Sequence, residues 1–187
     1  MTYKFVRMKL DAIFSKMQTG DIYASAYLEN GSIPLISCKT EKTRDHGVEG
    51  YFEIPKDKGT CKNCVTITCD GDMPSTAFFH PYQFAVKDNV FICIPKKGVK
   101  LTTILYAIAS LNGERWRYSY GKKCYDNKKE KLTVPFPVDG NGKIDQEAIE
   151  KILNIAEMSP IVAKPIQKFM ATFEEQEAEN NTTNSSS

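Results

Sequence analysis

Along the first hundred residues, apolar positions come in short alternating or continuous runs broken by turn residues, and beyond them the period becomes helical. Val6 to Phe14 reads as a short strand and then a helical turn, ending in the turn chemistry of Gln18-Thr19-Gly20-Asp21. Asn30-Gly31 introduces a strand at Ile33 to Cys38, and Val65 to Cys69 is a β-branched strand closed by Asp70-Gly71-Asp72. Ala77-Phe78-Phe79 and Val90 to Pro95 add two more, and Lys131 to Val138 is a strand that proline stops. Leu101, Ile104, Leu105, Ile108 and Leu111 fall at helical spacing, which predicts an amphipathic helix ended by Asn112-Gly113. A second helix is predicted from the N-cap Asp145 through Ala148, Ile149, Ile152, Leu153 and Ile155 to Met158, before Ser159-Pro160 breaks it. Pro165 starts a third, with Ile166, Phe169, Met170 and Phe173 on one side.

Glycines at 47, 50, 59 and 71 punctuate the strands as a curled sheet requires. The expected class is therefore α/β of the α+β kind: a curled, mostly antiparallel multi-stranded sheet with packed helices, followed by short C-terminal helices. One folded domain is expected over residues 1–140 and a helical segment over 141–179. Residues 180–187, Asn-Asn-Thr-Thr-Asn-Ser-Ser-Ser, have nothing to bury and are expected to be a disordered tail.

Composition changes this picture only locally. The 187 residues are 41% hydrophobic, enough for one moderate core, and the net charge of +2 gives no global attraction to nucleic acid. The charge is uneven, with ten Lys or Arg against three Asp or Glu from Lys96 to Lys131, and four glutamates without a cation from Phe173 to Glu179. The middle reads as a binding face and the end as a solvated tail. Neither a signal peptide nor an apolar run of membrane-spanning length is recognisable, so a cytoplasmic protein is expected, with no membrane partner. Its six cysteines would then stay reduced, several packing as small hydrophobes.

The segment richest in recognition chemistry is Arg115-Trp116-Arg117-Tyr118-Ser119-Tyr120-Gly121-Lys122-Lys123, which offers cations for phosphates, planar faces for bases, and donors for groove edges. Its alternation equally suits a strand whose aromatics face the core while the cations snorkel. Lys39 to Gly47 is a second polar segment, too rich in hydrogen-bonding side chains for a tight hairpin; a solvated loop is its plain reading. Cys61-Lys62-Asn63-Cys64 has half the spacing of a zinc site, but tetrahedral closure needs four ligands and no second close pair exists. Asp139 to Asp145 lacks the anchors of a calcium loop and reads as a turn and helix cap. Neither histidine, His46 or His80, is paired by sequence with a nucleophile, and glycine-rich phosphate loops are missing, so no catalytic residue, metal or cofactor is assigned.

Taken in order, the motifs resemble the target recognition domain of type I restriction-modification specificity subunits, found also in type IIG and IIB systems. Leu10-Asp11-Ala12-Ile13-Phe14 with Gly20 matches the opening, and Gly31-Ser32-Ile33-Pro34-Leu35-Ile36-Ser37 the next strand. Gly47-Val48-Glu49-Gly50-Tyr51, Ile67-Thr68-Cys69-Asp70-Gly71, and Phe79, Phe84 and Val90 follow. Tyr118-Ser119-Tyr120-Gly121-Lys122-Lys123 and Val134-Pro135-Phe136-Pro137-Val138 complete the series, over about residues 5 to 155. The resemblance implies a domain that catalyses nothing and reads half of a bipartite double-stranded DNA target for methyltransferase and endonuclease subunits. Chains of that family usually carry two such domains and this one has one, so it reads either as a half-subunit that pairs with a second copy through its C-terminal helices or as a stand-alone relic. Loop placement then nominates Lys39, Thr40, Lys42, Thr43, Arg44, Ser75 and Thr76 as base readers. Arg115, Arg117, Tyr118, Ser119 and Tyr120 are nominated beside them as DNA-binding residues, with Lys122 and Lys123 on backbone phosphates. The alternatives are a peptide- or protein-binding module gripping its partner with the aromatic loop, and a small thiol-dependent enzyme using Cys61, Cys64 or His80.

Overall fold

Where β-branched and aromatic residues cluster, the chain forms strands, and ten of them lie among residues 2–39, 46–71, 74–117 and 132–155, which the computed structural model describes. They are β1 (Phe5–Lys9), β2 (Phe14–Thr19), β3 (Asn30–Ile36), β4 (Val48–Phe52) and β5 (Thr60–Cys61), then β6 (Cys64–Thr68), β7 (Ala77–His80), β8 (Phe84–Val86), β9 (Val90–Pro95) and β10 (Thr133–Pro137). Helix α1 spans Leu101–Gly113 and α2 spans Gln146–Ile155. The expected helix from Pro165 and the tail over 180–187 lie outside the described residues, as do the last residues of the second helix, 156–158. The chain divides into two compact units, Met1–Asp145 and Gln146–Ser187.

The mostly antiparallel sheet expected from the pattern is realised as two four-stranded sheets and a two-stranded ribbon. One sheet has the order β2-β9-β6-β7 and is antiparallel throughout. Every residue of its inner strand β6 is buried, which explains the continuous Val-Thr-Ile-Thr run in place of an alternating one. The other sheet, β4-β3-β8-β5, is mixed, with β3 and β8 parallel and two register shifts between β3 and β4. Ile36, Cys38, Phe84 and Val86 from its side pack with Cys64, Val90 and Ile92 from the first sheet, forming a shared core. The ribbon is β1 against β10.

Five strands differ from the sequence reading. The helical turn expected before Gly20 is confined to the 3-10 turn Leu10–Ala12, and β2 takes the rest of that segment. Strand β4 forms through a Val-Glu-Gly-Tyr-Phe stretch, and β5 and β8 are only two and three residues long. Asn30-Gly31 is part of β3 rather than a turn ahead of it. A Cβ on Gly31 would collide with the backbone at Phe52 and Glu53, and one on Gly20 with the Val86 carbonyl, so glycine at both is a close-approach requirement.

Helix α1 joins two of these layers. Leu101, Ile104, Ala107 and Leu111 are buried, with Thr103 and Tyr106 added to that face, while Leu105 and Ile108 of the expected stripe are half-buried. Tyr106 donates to the Pro135 carbonyl at 2.7 Å and stacks obliquely on Phe136, 5.7 Å between ring centres. At the far end, the Asn112 carboxamide accepts from the Ala77 amide at 2.8 Å and donates to the Ala77 carbonyl at 3.0 Å, copying the paired hydrogen bonds of a neighbouring strand.

After β10, Asp139 to Asp145 makes the expected turn: Asp139 Oδ1 accepts from the amides of Asn141 and Lys143 at 2.8 and 2.9 Å, and Gly142 takes φ +75°. In the second unit, α2 begins at Gln146; Ala148 and Ile149 are buried, and Ile152 and Leu153 are half-buried. Lys151 pairs with Glu147 one turn back at 3.5 Å.

Candidate nucleic-acid interface

Three segments rich in polar and basic side chains meet near the start of β7. The first is the stem of the Lys39 to His46 segment. It is closed where the Ser37 amide donates to the Gly47 carbonyl at 2.9 Å, and the His46 ring stands edge-on to Phe78, 5.4 Å between centres. The second is the β6–β7 hairpin itself. The third leaves the end of α1, whose Asn112 holds Ala77 next to that same Phe78.

The third segment presents two arginines and the tryptophan together. Arg115–Arg117 is a 3-10 turn with all three residues exposed, Trp116 to 78%. The alternative of a buried aromatic strand therefore fails for its described part, because an indole this exposed contributes nothing to a core. Arg117 Nη1 pairs with Glu114 Oε2 at 2.8 Å, and Arg7 of β1 binds the other carboxylate oxygen. Burial alone would raise the Glu114 carboxyl, but hydrogen bonds and charge from Arg7 and Arg117 outweigh it and hold the group below the usual carboxylate range. Arg7 also donates to Thr133 Oγ1 at 3.0 Å, which fixes the guanidinium over β10. One carboxylate thus positions two guanidiniums beside Arg115, and the face remains cationic.

Arg7 was not among the residues nominated by sequence. The available signal was the alternation Val6-Arg7-Met8-Lys9, which sets Arg7 and Lys9 on one side of a strand at period two.

Lys39 is committed to a different task. Its ammonium lies 2.9 Å from Glu49 Oε1, and Lys87 approaches the other oxygen at 3.6 Å. The Glu49 side chain is only 6% exposed. Burial pushes its carboxyl up, yet hydrogen bonds from Ser25, Lys39 and Ser37 and the charge of Lys87 together prevail and hold it at about 2. Lys39 therefore anchors the stem of its segment to β4.

The nominated Ser75 and Thr76 require correction. They are 1% and 4% exposed, with Ser75 at φ +65° and the Thr76 amide bound to Thr68 Oγ1 at 2.9 Å. Their burial inside the hairpin leaves no exposed group with which to read a base. Thr40, Lys42, Thr43 and Arg44, and Tyr118, Ser119, Tyr120, Lys122 and Lys123, lie outside the described residues.

His80 is packed rather than presented. It is fully buried, with Nε2 2.7 Å from Thr66 Oγ1 and Nδ1 3.1 Å from the Tyr82 hydroxyl, and burial, aided by the charge of His46, lowers it to about 3. The neutral ring donates with one nitrogen and accepts with the other, so both bonds are satisfied without an ion. Among the described residues, no group of three or more His, Cys, Asp or Glu is arranged to hold a metal. No described helix is long and apolar enough to cross a membrane.

Comparison with solved structures finds this architecture in type I restriction-modification proteins. The S subunit from M. genitalium superposes with a TM-score of 0.57 at 14% identity, over 75% of this chain and 36% of that one. The fold is that of a type I S-subunit recognition domain. The HsdS subunit from Thermoanaerobacter tengcongensis gives 0.55 at 11% identity over 92% and 39% of the two chains. A chain from a structure addressing complex assembly and conformational transition of the type I R-M system gives 0.57 at 12% identity over 96% and 42%. The present chain thus spans about two-fifths of the length of each S-subunit structure. No protein-family model and no curated protein matches the sequence.

Proposed function

We propose that this chain is a DNA-reading specificity component of a restriction-modification system. It binds one half of a bipartite duplex target and leaves methyl transfer and cleavage to partner methyltransferase and endonuclease subunits. The observation that carries this reading is the convergence, on an S-subunit fold, of the Lys39–His46 stem and the Arg7, Arg115, Trp116 and Arg117 face around the start of β7. Guanidinium groups held in place by Glu114 and Thr133 suit phosphate oxygens and guanine edges, and the exposed indole suits a sugar or base face. Lys39 anchors the start of its segment, and Thr40, Lys42, Thr43 and Arg44 within that segment are the base readers; Tyr118, Ser119, Tyr120, Lys122 and Lys123 supply further DNA contacts. The 141–179 segment pairs the domain with a second copy, so that two half-sites are read together.

The test is selection of bound duplexes from a random pool, with the chain alone and with a methyltransferase subunit, at two salt concentrations. A short enriched motif, repeated at fixed spacing, is the expected result. Replacing Arg115 and Arg117 with Gln should lower the salt slope of binding by about one unit per lost phosphate contact. No enrichment in either arm, or a slope unchanged by both substitutions, would refute the reading.

A further inference from the structure

The chain passes from one four-stranded sheet to the other through Cys61-Lys62-Asn63-Cys64. Cys61 ends β5 at the edge of the mixed sheet, and Cys64 begins β6 inside the antiparallel one. Asn63 adopts φ +56°, the left-handed conformation that Asn tolerates best after glycine, and this tight reversal brings the two sulfurs together. With both thiols protonated, Cys64 Sγ donates its one proton to the Lys62 carbonyl at 3.2 Å, and when Cys61 is ionised that same proton turns to the Cys61 sulfur. Their exposure is unequal, since Cys61 is half-buried and Cys64 is buried in the shared core.

We infer that Cys61 and Cys64 form a peroxide-sensitive dithiol that closes to a disulfide and joins the two sheets at their crossover. The arrangement supplies an outer sulfur to react and an inner one to resolve. The hydrogen bond from Cys64, helped by the charge of Lys16, outweighs burial and Asp21 and lowers Cys61 to about 7, so a sizeable fraction is thiolate at neutral pH. Cys64 moves the other way, because its proton is held by Cys61 and its site is dry. The other described thiols do not compete: burial raises Cys38 to about 11, and Cys69 and Cys93 are buried.

The chemistry balances with hydrogen peroxide as oxidant. The Cys61 thiolate attacks one peroxide oxygen, the O–O bond breaks, and the departing hydroxide takes up a proton to leave as water, giving Cys61 sulfenic acid. The Cys64 sulfur then attacks that of Cys61; an S–S bond forms, the S–O bond breaks, and the hydroxyl leaves with the Cys64 proton as a second water. Two thiols lose two electrons and two protons, and one peroxide becomes two waters.

The experiment treats the full, reduced chain with hydrogen peroxide in chelator-containing buffer and maps its tryptic peptides. Lys62 separates the two cysteines, so a disulfide leaves their peptides covalently joined until reductant parts them, and fragmentation between Cys64 and Cys69, which share the Asn63 to Lys87 peptide, places the bridge on Cys64; that is the expected result. Recovery of Cys61 as free thiol, as sulfinate, or joined to Cys69, Cys124 or another chain would overturn the inference. In Cys64→Ala, Cys61 should stop at the sulfenic acid, be captured by dimedone, and alkylate about tenfold more slowly at neutral pH. Unchanged alkylation in a folded Cys64→Ala chain would also overturn it. The peptide map of the unsubstituted chain decides the matter without that variant and is independent of DNA binding.

Discussion

The two four-stranded sheets reach similar size by different means. In β2-β9-β6-β7 the strands pair antiparallel, β6 is buried along its whole length, and Phe91 of β9 is wholly excluded from solvent. In β4-β3-β8-β5 the registers shift twice, one pairing is parallel, and β5 has two residues. Polar ties compensate there, with Glu49 of β4 gathering Ser25, Ser37, Lys39 and Lys87 from separate parts of the chain. The first sheet is specified by where apolar area lies, the second by its own buried Leu35, Ile36 and Phe84 together with a buried carboxylate set between two ammonium groups.

Phe91→Ala should test the first half of this contrast most severely, costing about 3–5 kcal/mol in denaturant unfolding through lost transfer energy and a cavity. A loss below about 1 kcal/mol would mean that the sheet is not held by its core. Asn112→Ala removes both bonds to Ala77 and should cost about 1–3 kcal/mol. Amide exchange should then rise at Ala77 before it rises in β6.

Acid should separate the sheets further. His80 titrates near 6.5 when unfolded but is lowered to about 3 by burial, so the unfolded chain binds the proton first. Stability from this site is complete above about pH 6.5 and declines as pH falls toward 3, by about 1 kcal/mol at pH 5.5. In His80→Gln the decline between pH 6.5 and 4.5 should disappear. Glu49 acts in a lower window, because its folded value of about 2 lies under the ordinary 4.5. Its contribution is present above about pH 4.5 and is lost as pH falls toward 2. Glu49→Gln should cost about 1 kcal/mol at pH 7, with the gap to the unsubstituted chain narrowing below pH 4. A gap independent of pH would attribute the loss to packing rather than to charge.

The same contrast governs what could be read from sequence. Val65 to Cys69, Val90 to Pro95 and Leu101 to Leu111 announce themselves because hydrophobic burial selects β-branched runs or helical spacing. Strand β4 hides because Gly50 interrupts it and its stability comes from Glu49, whose partners are distant in sequence. β5 and β8 are too short to show any period. At the basic face, Arg115 and Arg117 were legible as a local cluster, but Arg7 joins them only through Glu114, 107 positions along the chain. Ser75 and Thr76 looked like an exposed turn by composition, whereas backbone and Thr68 bonds turn them inward.

Asn112 has one more consequence. β7 is the outermost strand of its sheet, and such a strand ordinarily offers bare amides and carbonyls that another chain can adopt as a template. The carboxamide occupies one donor and one acceptor at Ala77, where the strand starts, so an incoming peptide cannot take up register from that end without first displacing a side chain anchored on a helix. A single residue thereby closes the start of this edge to strand addition.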